Sequence, residues 1–361
     1  MIKRQAVFET IVRNILRYIV FLSFATAATG LQAQNDPIAP FSDRPLEEPV
    51  THPDWFKLSF LDLYDDIEEA VAAGKKGVIV YFGQDHCPYC KAHLQNNWGD
   101  PEIVKYTREN FDVIALDVKG ARNITAIDGK VYEEKAFAVE QRTNFTPSLL
   151  FYNAQKKQVL KLQGYHPPYQ FRAALEYVSD RHYAKEPFRD YLSRAVLAES
   201  YGKDRLNTHP VFASPPYALD RSKMPAARPL AVFFEQPRCH ACDVLHAGPL
   251  GNDRIIASLK QMDVIQLDMQ SDTRLITPGG RRLTARQWAD ELDLYYSPTL
   301  VFFDENGKEI IRINSVVWVY RLNSVLDYIL TGAYKRHDTY QAWRQFLARK
   351  KPDIAPQDMK H

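Results

Sequence analysis

All four cysteines of the chain lie in two Cys-x-x-Cys pairs, Cys87-Pro-Tyr-Cys90 and Cys239-His-Ala-Cys242. Each pair follows an apolar run that predicts a β-strand and precedes a segment that predicts a helix. The positive end of a helix dipole lowers the pKa of a cysteine at the helix N-terminus and so favours the nucleophilic thiolate. The second cysteine, one turn further along, can then attack the mixed disulfide. The sequence therefore predicts two redox-active dithiols.

The landmarks around the two pairs recur at matching distances. From Cys87, an aspartate that ends an apolar run lies 30 residues on and Pro147 lies 60 residues on, whereas the distances from Cys239 are 29 and 59 residues. A repeat of about 150 residues is far longer than solenoid repeats and indicates duplication of a whole domain. We therefore expect two similar domains in series, at residues 53–197 and 228–351.

The order of these landmarks (strand, Cys-x-x-Cys on a helix, strand ending in Asp, helix, x-Pro and strand) resembles the thioredoxin superfamily. The first domain is also similar to the SoxW-type periplasmic thioredoxins of bacterial sulfur-oxidation systems. The resemblance implies an α/β fold of two tandem thioredoxin-like domains, each with a central mixed β-sheet flanked by helices and each followed by a helical extension. The stretches that carry it are Trp55–Leu63, His86–Lys91, Phe145–Pro147 and Gly164–Pro168.

In the thioredoxin superfamily, a cis-proline loop beside the dithiol binds the substrate strand. By this resemblance, Thr146-Pro147 and Ser297-Pro298 are cis peptide bonds that face their dithiols and form the substrate-binding turns. Thioredoxins proper also carry a buried Asp six residues before the first cysteine, and this chain has Tyr81 and Phe233 at those positions. The sequence departs there from the general cytosolic disulfide reductases.

Charged neighbours of the cysteines are candidates for tuning the thiolate pKa. His86 precedes Cys87, while Arg238 and His240 flank Cys239. A positive charge that faces the sulfur stabilises a thiolate, whereas one that points to solvent does not. If these charges face their sulfurs, the second domain has the more oxidising disulfide.

Two other interpretations of the cysteines were weighed against redox chemistry. A zinc site built from all four thiolates would require the two pairs to converge, although each pair lies inside its own domain pattern. A structural disulfide across Cys-x-x-Cys closes a very small loop and stabilises the fold little. Redox chemistry is favoured over both, and we expect neither a metal ion nor a cofactor.

The N-terminal segment predicts secretion. Residues 1–33 combine basic residues, an apolar run too short to span a bilayer and a small-residue cleavage site before Gln34, which is typical of a removed signal peptide. We therefore expect a periplasmic location. The remaining segments are an extended lead-in at 34–52, a Pro-rich connector at 198–227 and a tail at 352–361. With 46 basic and 44 acidic residues, the chain has no broad basic field for nucleic acid.

Three functions fit these features: a reductase-type periplasmic electron carrier, a disulfide oxidase or isomerase in periplasmic protein folding, and a redox-inactive binding module. The two intact dithiols and both x-Pro turns disfavour the third. The first two differ in reduction potential, which the sequence leaves open. The expected partners are protein thiols and disulfides, with a membrane-embedded thiol as electron donor. Because the two dithiols differ in sequence, we expect the two domains to have distinct roles.

Overall fold

The computed structural model describes residues 40–195, 205–217 and 219–350. The predicted signal peptide and the predicted C-terminal tail lie outside these residues, as does part of the connector. Both domains belong to one compact unit that begins at Ser42. In the described ranges, no helix combines the length and apolar character needed to cross a membrane.

The first domain is built on a four-stranded sheet with helices on both faces. Its strands are β1 (Gly77–Gly83), β2 (Phe111–Asp117), β3 (Asn123–Thr125), β4 (Val131–Glu133), β5 (Ser148–Asn153) and β6 (Gln158–Gln163). Its helices are α1 (Leu63–Ala72), α2 (Pro88–Ala92), α3 (Pro101–Asn110), α4 (Glu134–Glu140), α5 (Pro168–Ser179) and α6 (Phe188–Ala195). The sheet order is β2-β1-β5-β6, in which only β1 and β2 are parallel, and β3 and β4 form a separate hairpin.

The second domain repeats this architecture. Its strands are β7 (Leu230–Glu235), β8 (Asp263–Asp268), β9 (Arg274–Ile276), β10 (Arg282–Thr284), β11 (Thr299–Phe303) and β12 (Glu309–Ile313). Its helices are α7 (His240–Ala247), α8 (Asp253–Leu259), α9 (Ala285–Glu291), α10 (Val319–Leu330) and α11 (Tyr340–Lys350). The sheet order is β12-β11-β7-β8, with β7 and β8 parallel. The predicted α/β fold of two thioredoxin-like domains with mixed sheets is confirmed.

The central strands explain why the sequence shows apolar runs before each dithiol. Every residue of β1 and of β7 is buried. Successive side chains of a strand point to opposite faces, so Ile79 and Tyr81 enter one core cluster while Val78 and Phe82 enter the other. Because helices cover both faces of the sheet, these strands are continuously apolar and lack the alternation of a half-exposed strand.

The described part of the connector lies against the second domain. Val211 and Phe212 pack on the core cluster that contains Phe233, and Tyr217 packs on the opposite face of the same sheet. The backbone amide of Ala213 donates to Val264 at 2.8 Å. The described part of the connector therefore has fixed contacts with the second domain.

The two domains share an interface beside the first dithiol. Phe145, which immediately precedes the first x-Pro turn, packs in the core cluster of the second domain. The amide of Val316 donates to the carbonyl of Tyr165 at 3.1 Å, and Gln341 Nε2 donates to the carbonyl of Asn144 at 2.9 Å. Backbone carbonyls of the first domain on either side of β5 and β6 are therefore bonded to the second domain.

Gly164 is the point of closest approach at this interface. It has a φ of +88°, and a Cβ atom there would lie 2.0 Å from the Ser315 hydroxyl oxygen. Gly129 is a matched reference, because its φ is +79° and a Cβ atom would meet nothing within 4 Å. The two glycines therefore share a left-handed backbone conformation and differ in whether another domain touches them.

We expect Gly164→Ala to destabilise the protein more than Gly129→Ala. Both variants lose about 1–2 kcal/mol because an L-residue is strained at positive φ. Gly164→Ala loses a further ~1–3 kcal/mol because the new methyl group overpacks the interface at Ser315. Urea unfolding of the two variants and the wild type measures the difference. Equal losses would show that the domains do not meet at Gly164.

Candidate functional site

The first dithiol lies at the start of α2, after a short loop that follows the end of β1 at Gly83. Cys87 has an extended backbone conformation and is the N-cap of the helix, and its sulfur accepts a hydrogen bond from the Cys90 amide at 3.1 Å. Pro88 occupies the first helical position, where the lack of an N–H group costs nothing. The sulfur thus caps one of the free amides at the positive end of the helix.

The Thr146-Pro147 peptide bond is cis and lies against this cysteine. Cys87 Sγ is 3.3 Å from the Thr146 hydroxyl oxygen and 3.7 Å from the Thr146 carbonyl oxygen. That hydroxyl oxygen accepts a hydrogen bond from Gln84 Nε2 at 2.9 Å, so its own hydrogen is free to donate to the sulfur. The predicted cis bond beside the first dithiol is confirmed.

The second dithiol has the same arrangement. Cys239 is the N-cap of α7 and accepts a hydrogen bond from the Cys242 amide at 3.0 Å. The Ser297-Pro298 bond is cis, and Cys239 Sγ lies 3.5 Å from the Ser297 carbonyl oxygen. Here, too, the predicted cis bond beside the dithiol is confirmed.

The two pairs differ in their covalent state. Cys239 and Cys242 are joined by a disulfide, whereas Cys87 and Cys90 are both free thiols. Within the described residues, no group of three or more His, Cys, Asp or Glu side chains is placed to hold a metal ion. The four cysteines therefore form two separate pairs, one in each domain.

The sequence profile of the thioredoxin-like domain matches residues 63–179 and again residues 218–330, together more than half of the chain. The chain belongs to the thioredoxin-like domain family. No curated protein sequence matches it. The family match covers both dithiols and both cis-proline loops.

Several solved structures are similar to parts of the chain. A thioredoxin-fold protein from Helicobacter pylori is 19% identical with a TM-score of 0.31 and covers 39% of this chain and 92% of its own. A thioredoxin from Thermus thermophilus is 26% identical with a TM-score of 0.26 and covers 32% of this chain and 81% of its own. A disulphide isomerase from Xylella fastidiosa is 14% identical with a TM-score of 0.23 and covers 40% of this chain and 96% of its own.

The pKa values of the two cysteines in the first thioredoxin-like domain are shifted in opposite directions. Burial alone would raise the pKa of the Cys87 thiol, but hydrogen bonds from Cys90 and Thr146 and the positive charge of Arg321 lower it from 9.0 to about 7. Burial, together with the hydrogen bond and negative charge of Cys87, raises the pKa of Cys90 well above 9.0. Near neutral pH, Cys87 is therefore the group that can attack a disulfide, while Cys90 keeps its proton.

The first dithiol is deeply buried although it lies at a helix end. Cys87 is only 2% exposed and Cys90 is fully buried. Residues of the second domain and of the lead-in both contact the surroundings of this dithiol. The hydroxyl of Tyr89, between the two cysteines, accepts a hydrogen bond from the Trp318 amide at 2.8 Å and donates one to Asp43 at 2.8 Å.

Asp43 and Arg321 are the site residues that sequence reasoning missed. Asp43, in the lead-in, is buried and accepts hydrogen bonds from the backbone amides of Tyr320 and Arg321. Arg321 is the third residue of α10, and the third residue of the matching helix α5 is Gln170. This mismatch between the repeats is the signal that could have directed attention to Arg321.

The three predicted pKa-tuning residues are all on the surface. His86, Arg238 and His240 are exposed, and the positive charge that lowers the pKa of Cys87 belongs to Arg321. His86 and Arg238, which precede the first cysteine of each pair, have left-handed φ values of 56° and 55°. The tuning roles of the three residues remain predictions.

A cluster of buried polar side chains lies at the C-terminal end of α2, the helix that carries the first dithiol. Helix α2 continues as a π-helical turn, His93–Asn97, in which Asn97 Nδ2 lies 2.8 Å from His93 Nδ1 and donates to the carbonyl of His166 at 3.0 Å. His93 also packs edge-on against Phe171, with ring centroids 4.7 Å apart. Burial lowers the pKa of His93 to about 3 and that of His166 to about 4. Both rings are therefore neutral in the folded protein.

We expect the stability of the protein to fall steeply as the pH drops from 6.5 towards 4. In this window the unfolded chain binds protons at both histidines and the folded protein does not, so stability is present above pH 6.5 and is lost below it. Each histidine contributes a slope of about 1.4 kcal/mol per pH unit. Denaturant unfolding at several pH values measures the slope.

One histidine of the cluster tests this assignment directly. His166→Gln should reduce the slope of stability against pH relative to the wild type. A His166→Gln protein that keeps the full slope would contradict the assignment of the pH dependence to the buried cluster.

Proposed function

We propose that the protein is a periplasmic thiol–disulfide oxidoreductase that reduces the disulfides of partner proteins, in a role similar to that of the SoxW-type thioredoxins. The observation that carries the proposal is the acidity of Cys87 beside its cis-proline loop. The pKa of Cys87 is lowered to about 7 and that of Cys90 is raised. Cys87 can therefore attack as a thiolate near neutral pH, while Cys90 stays protonated until the resolving step. The thioredoxin-like domain match supports the same chemistry.

The reaction needs no group beyond the two thiols and a partner disulfide. The Cys87 thiolate attacks one sulfur of the partner disulfide, forms a mixed disulfide and releases the other partner sulfur as a thiolate. Cys90 loses its proton to that leaving thiolate and attacks Cys87 Sγ, which releases the second partner thiol and forms the Cys87–Cys90 disulfide. Two electrons pass to the partner. A membrane-embedded thiol donor would restore the dithiol.

In the structure, the second domain is docked against the first domain, and this docked arrangement restricts access to Cys87 during the cycle. Cys87 is 2% exposed, and the Thr146 carbonyl beside it already accepts a hydrogen bond from Arg321. A protein substrate therefore reaches Cys87 only after the second domain has moved away from the first dithiol. The second dithiol would act separately, on other partners or on the first domain.

The second candidate function is disulfide oxidation in periplasmic protein folding. The disulfide between Cys239 and Cys242 favours it, because an oxidase donates such a bond to its substrate. The two functions differ in the direction of electron transfer between the protein and its partners, and the reduction potentials of the separate dithiols distinguish them. A redox-inactive binding role is disfavoured because both dithiols lie at helix N-termini beside cis-prolines.

We expect Cys90→Ser to trap a mixed disulfide with a disulfide-bonded substrate such as insulin. Without the resolving cysteine, the bond between Cys87 and the substrate persists. Cys87→Ser should trap none, since the pKa of Cys90 is raised well above 9.0. Non-reducing electrophoresis and mass spectrometry of the adduct provide the measurement. The Cys239→Ser/Cys242→Ser background serves for both variants, so that only the first domain reacts. Trapping by Cys87→Ser would reverse the assignment.

The proposed periplasmic location leads to a separate prediction. When the full chain is expressed in a Gram-negative host, the protein should be recovered from the periplasm with Gln34 as its first residue, because the small residues before it form a cleavage site. Mass spectrometry of the intact protein reads the N-terminus. Recovery of uncleaved protein from the cytoplasm would contradict the proposed location and leave the redox chemistry untouched.

A further inference from the structure

Arg321 belongs to the second domain, yet its guanidinium group lies in the active site of the first. Its Nη2 atom donates to the carbonyl oxygen of Thr146 at 2.9 Å. Its guanidinium carbon lies 3.4 Å from the ring centroid of Tyr89, the residue that precedes Cys90. It therefore touches both the cis-proline loop and the dithiol helix, the two elements that face the Cys87 sulfur.

The charge of Arg321 is buried without a carboxylate partner. The residue is 9% exposed, its Nη1 atom has no hydrogen-bond partner, and no described carboxylate lies within salt-bridge distance of it. The nearby Asp43 carboxylate is already occupied by the Tyr89 hydroxyl and by two backbone amides. A buried charge without a salt-bridge partner is costly, so a further anion close to Arg321 would stabilise the docked arrangement.

Cys87 can supply that anion. Its thiol can ionise near neutral pH, and Arg321 is among the causes of its lowered pKa. Cys90, Tyr81 and Tyr89 also lie around the dithiol, and burial raises the pKa of all three. The Asp43 carboxylate accepts a hydrogen bond from Tyr89 at 2.8 Å. Among these groups, Arg321 carries the positive charge that lowers the pKa of Cys87.

We propose that Arg321 is a positioning residue through which the docked second domain stabilises the Cys87 thiolate, and through which the thiolate in turn holds the second domain in place. The inference rests on the proposed role of Cys87 as the attacking thiolate. Coupling between two equilibria is reciprocal, so docking favours the thiolate by the same factor as the thiolate favours docking. Conversion of Cys87 and Cys90 to a disulfide, with two electrons passed to a partner disulfide, removes the anion and weakens the docking.

The test compares Arg321→Gln with two controls in the Cys239→Ser/Cys242→Ser background, so that only the first dithiol titrates. Gln is the residue at the matching position of the first domain, Gln170, and it suits the helix. Arg321→Lys keeps the charge. Arg344→Gln removes another largely buried arginine of the second domain, which bonds to Ser324 and Tyr320 and not to the first domain.

The readout is the pH at which the ultraviolet absorbance of the thiolate reaches half its maximum. We expect a midpoint near pH 7 in the background protein, in Arg321→Lys and in Arg344→Gln. In Arg321→Gln it should rise by about one unit or more, because an adjacent opposite charge typically shifts a pKa by that amount. That rise reduces the thiolate fraction below the midpoint about tenfold. An unchanged midpoint in Arg321→Gln would overturn the proposal.

A second measurement follows the docking itself. The Val316 amide donates to Tyr165 across the interface, so its hydrogen exchange reports contact between the domains. Oxidation of the first dithiol should speed this exchange in the background protein and have little further effect in Arg321→Gln. Equal exchange in the reduced and oxidised background protein would overturn the reciprocal part. If Arg321→Gln does not fold, Arg321→Met keeps the apolar stem and carries both measurements.

The outcome is separable from the test of the proposed function. If the midpoint rises in Arg321→Gln but Cys90→Ser traps no substrate, the coupling holds and the reductase role fails. If Cys90→Ser traps substrate and the midpoint does not move, the reductase role holds and the role of Arg321 fails.

Discussion

The structure depends on one local constraint, which is that a cysteine sulfur caps a helix directly opposite a cis-proline loop. Cys87 can cap α2 because β1 ends at Gly83, a short loop follows it, and Pro88 begins the helix. The loop can face it only because β5 runs antiparallel to β1 and starts at Ser148, directly after the cis-proline. The parallel and antiparallel neighbours of the central strand thus fix the distance between sulfur and loop, and the same constraint holds in the second domain.

The two domains apply this constraint in different electrostatic surroundings. At the end of the central strand, the first domain has Gly83 where the second has Glu235, as the pairing with the following parallel strand shows. Glu235 is fully buried and lies 3.0 Å from His246 on the dithiol helix. At the third position of α5 and α10, the first domain has Gln170 and the second has Arg321. Since the charges near the dithiols differ, unlike reduction potentials are the expected consequence of the duplication.

The sequence could predict the structural features that each domain forms from its own residues. Local sequence patterns predict the buried central strands, the two helix-capping dithiols and the cis bonds at Pro147 and Pro298. Each pattern occurs in both domains, so one copy supports the interpretation of the other. The contacts of Trp318 with Tyr89 and of Arg321 with Thr146 could not be predicted, because Trp318 and Arg321 lie more than two hundred residues further along the chain than Cys87. Contacts between domains depend on surface shape and on partner side chains, and these leave no periodic signal in the sequence.

The central claim is that the first dithiol is a redox pair whose properties differ from those of the second. Its reduction potential, measured in the Cys239→Ser/Cys242→Ser variant against glutathione buffers, tests this claim most directly. The account predicts one two-electron transition between the dithiol and the Cys87–Cys90 disulfide. Its potential should differ from that of the Cys239–Cys242 pair in the Cys87→Ser/Cys90→Ser variant, where a difference of about 30 mV corresponds to about 1.4 kcal/mol. A first dithiol that stays reduced, or that collects only mixed disulfides with glutathione at every buffer ratio, would contradict the account.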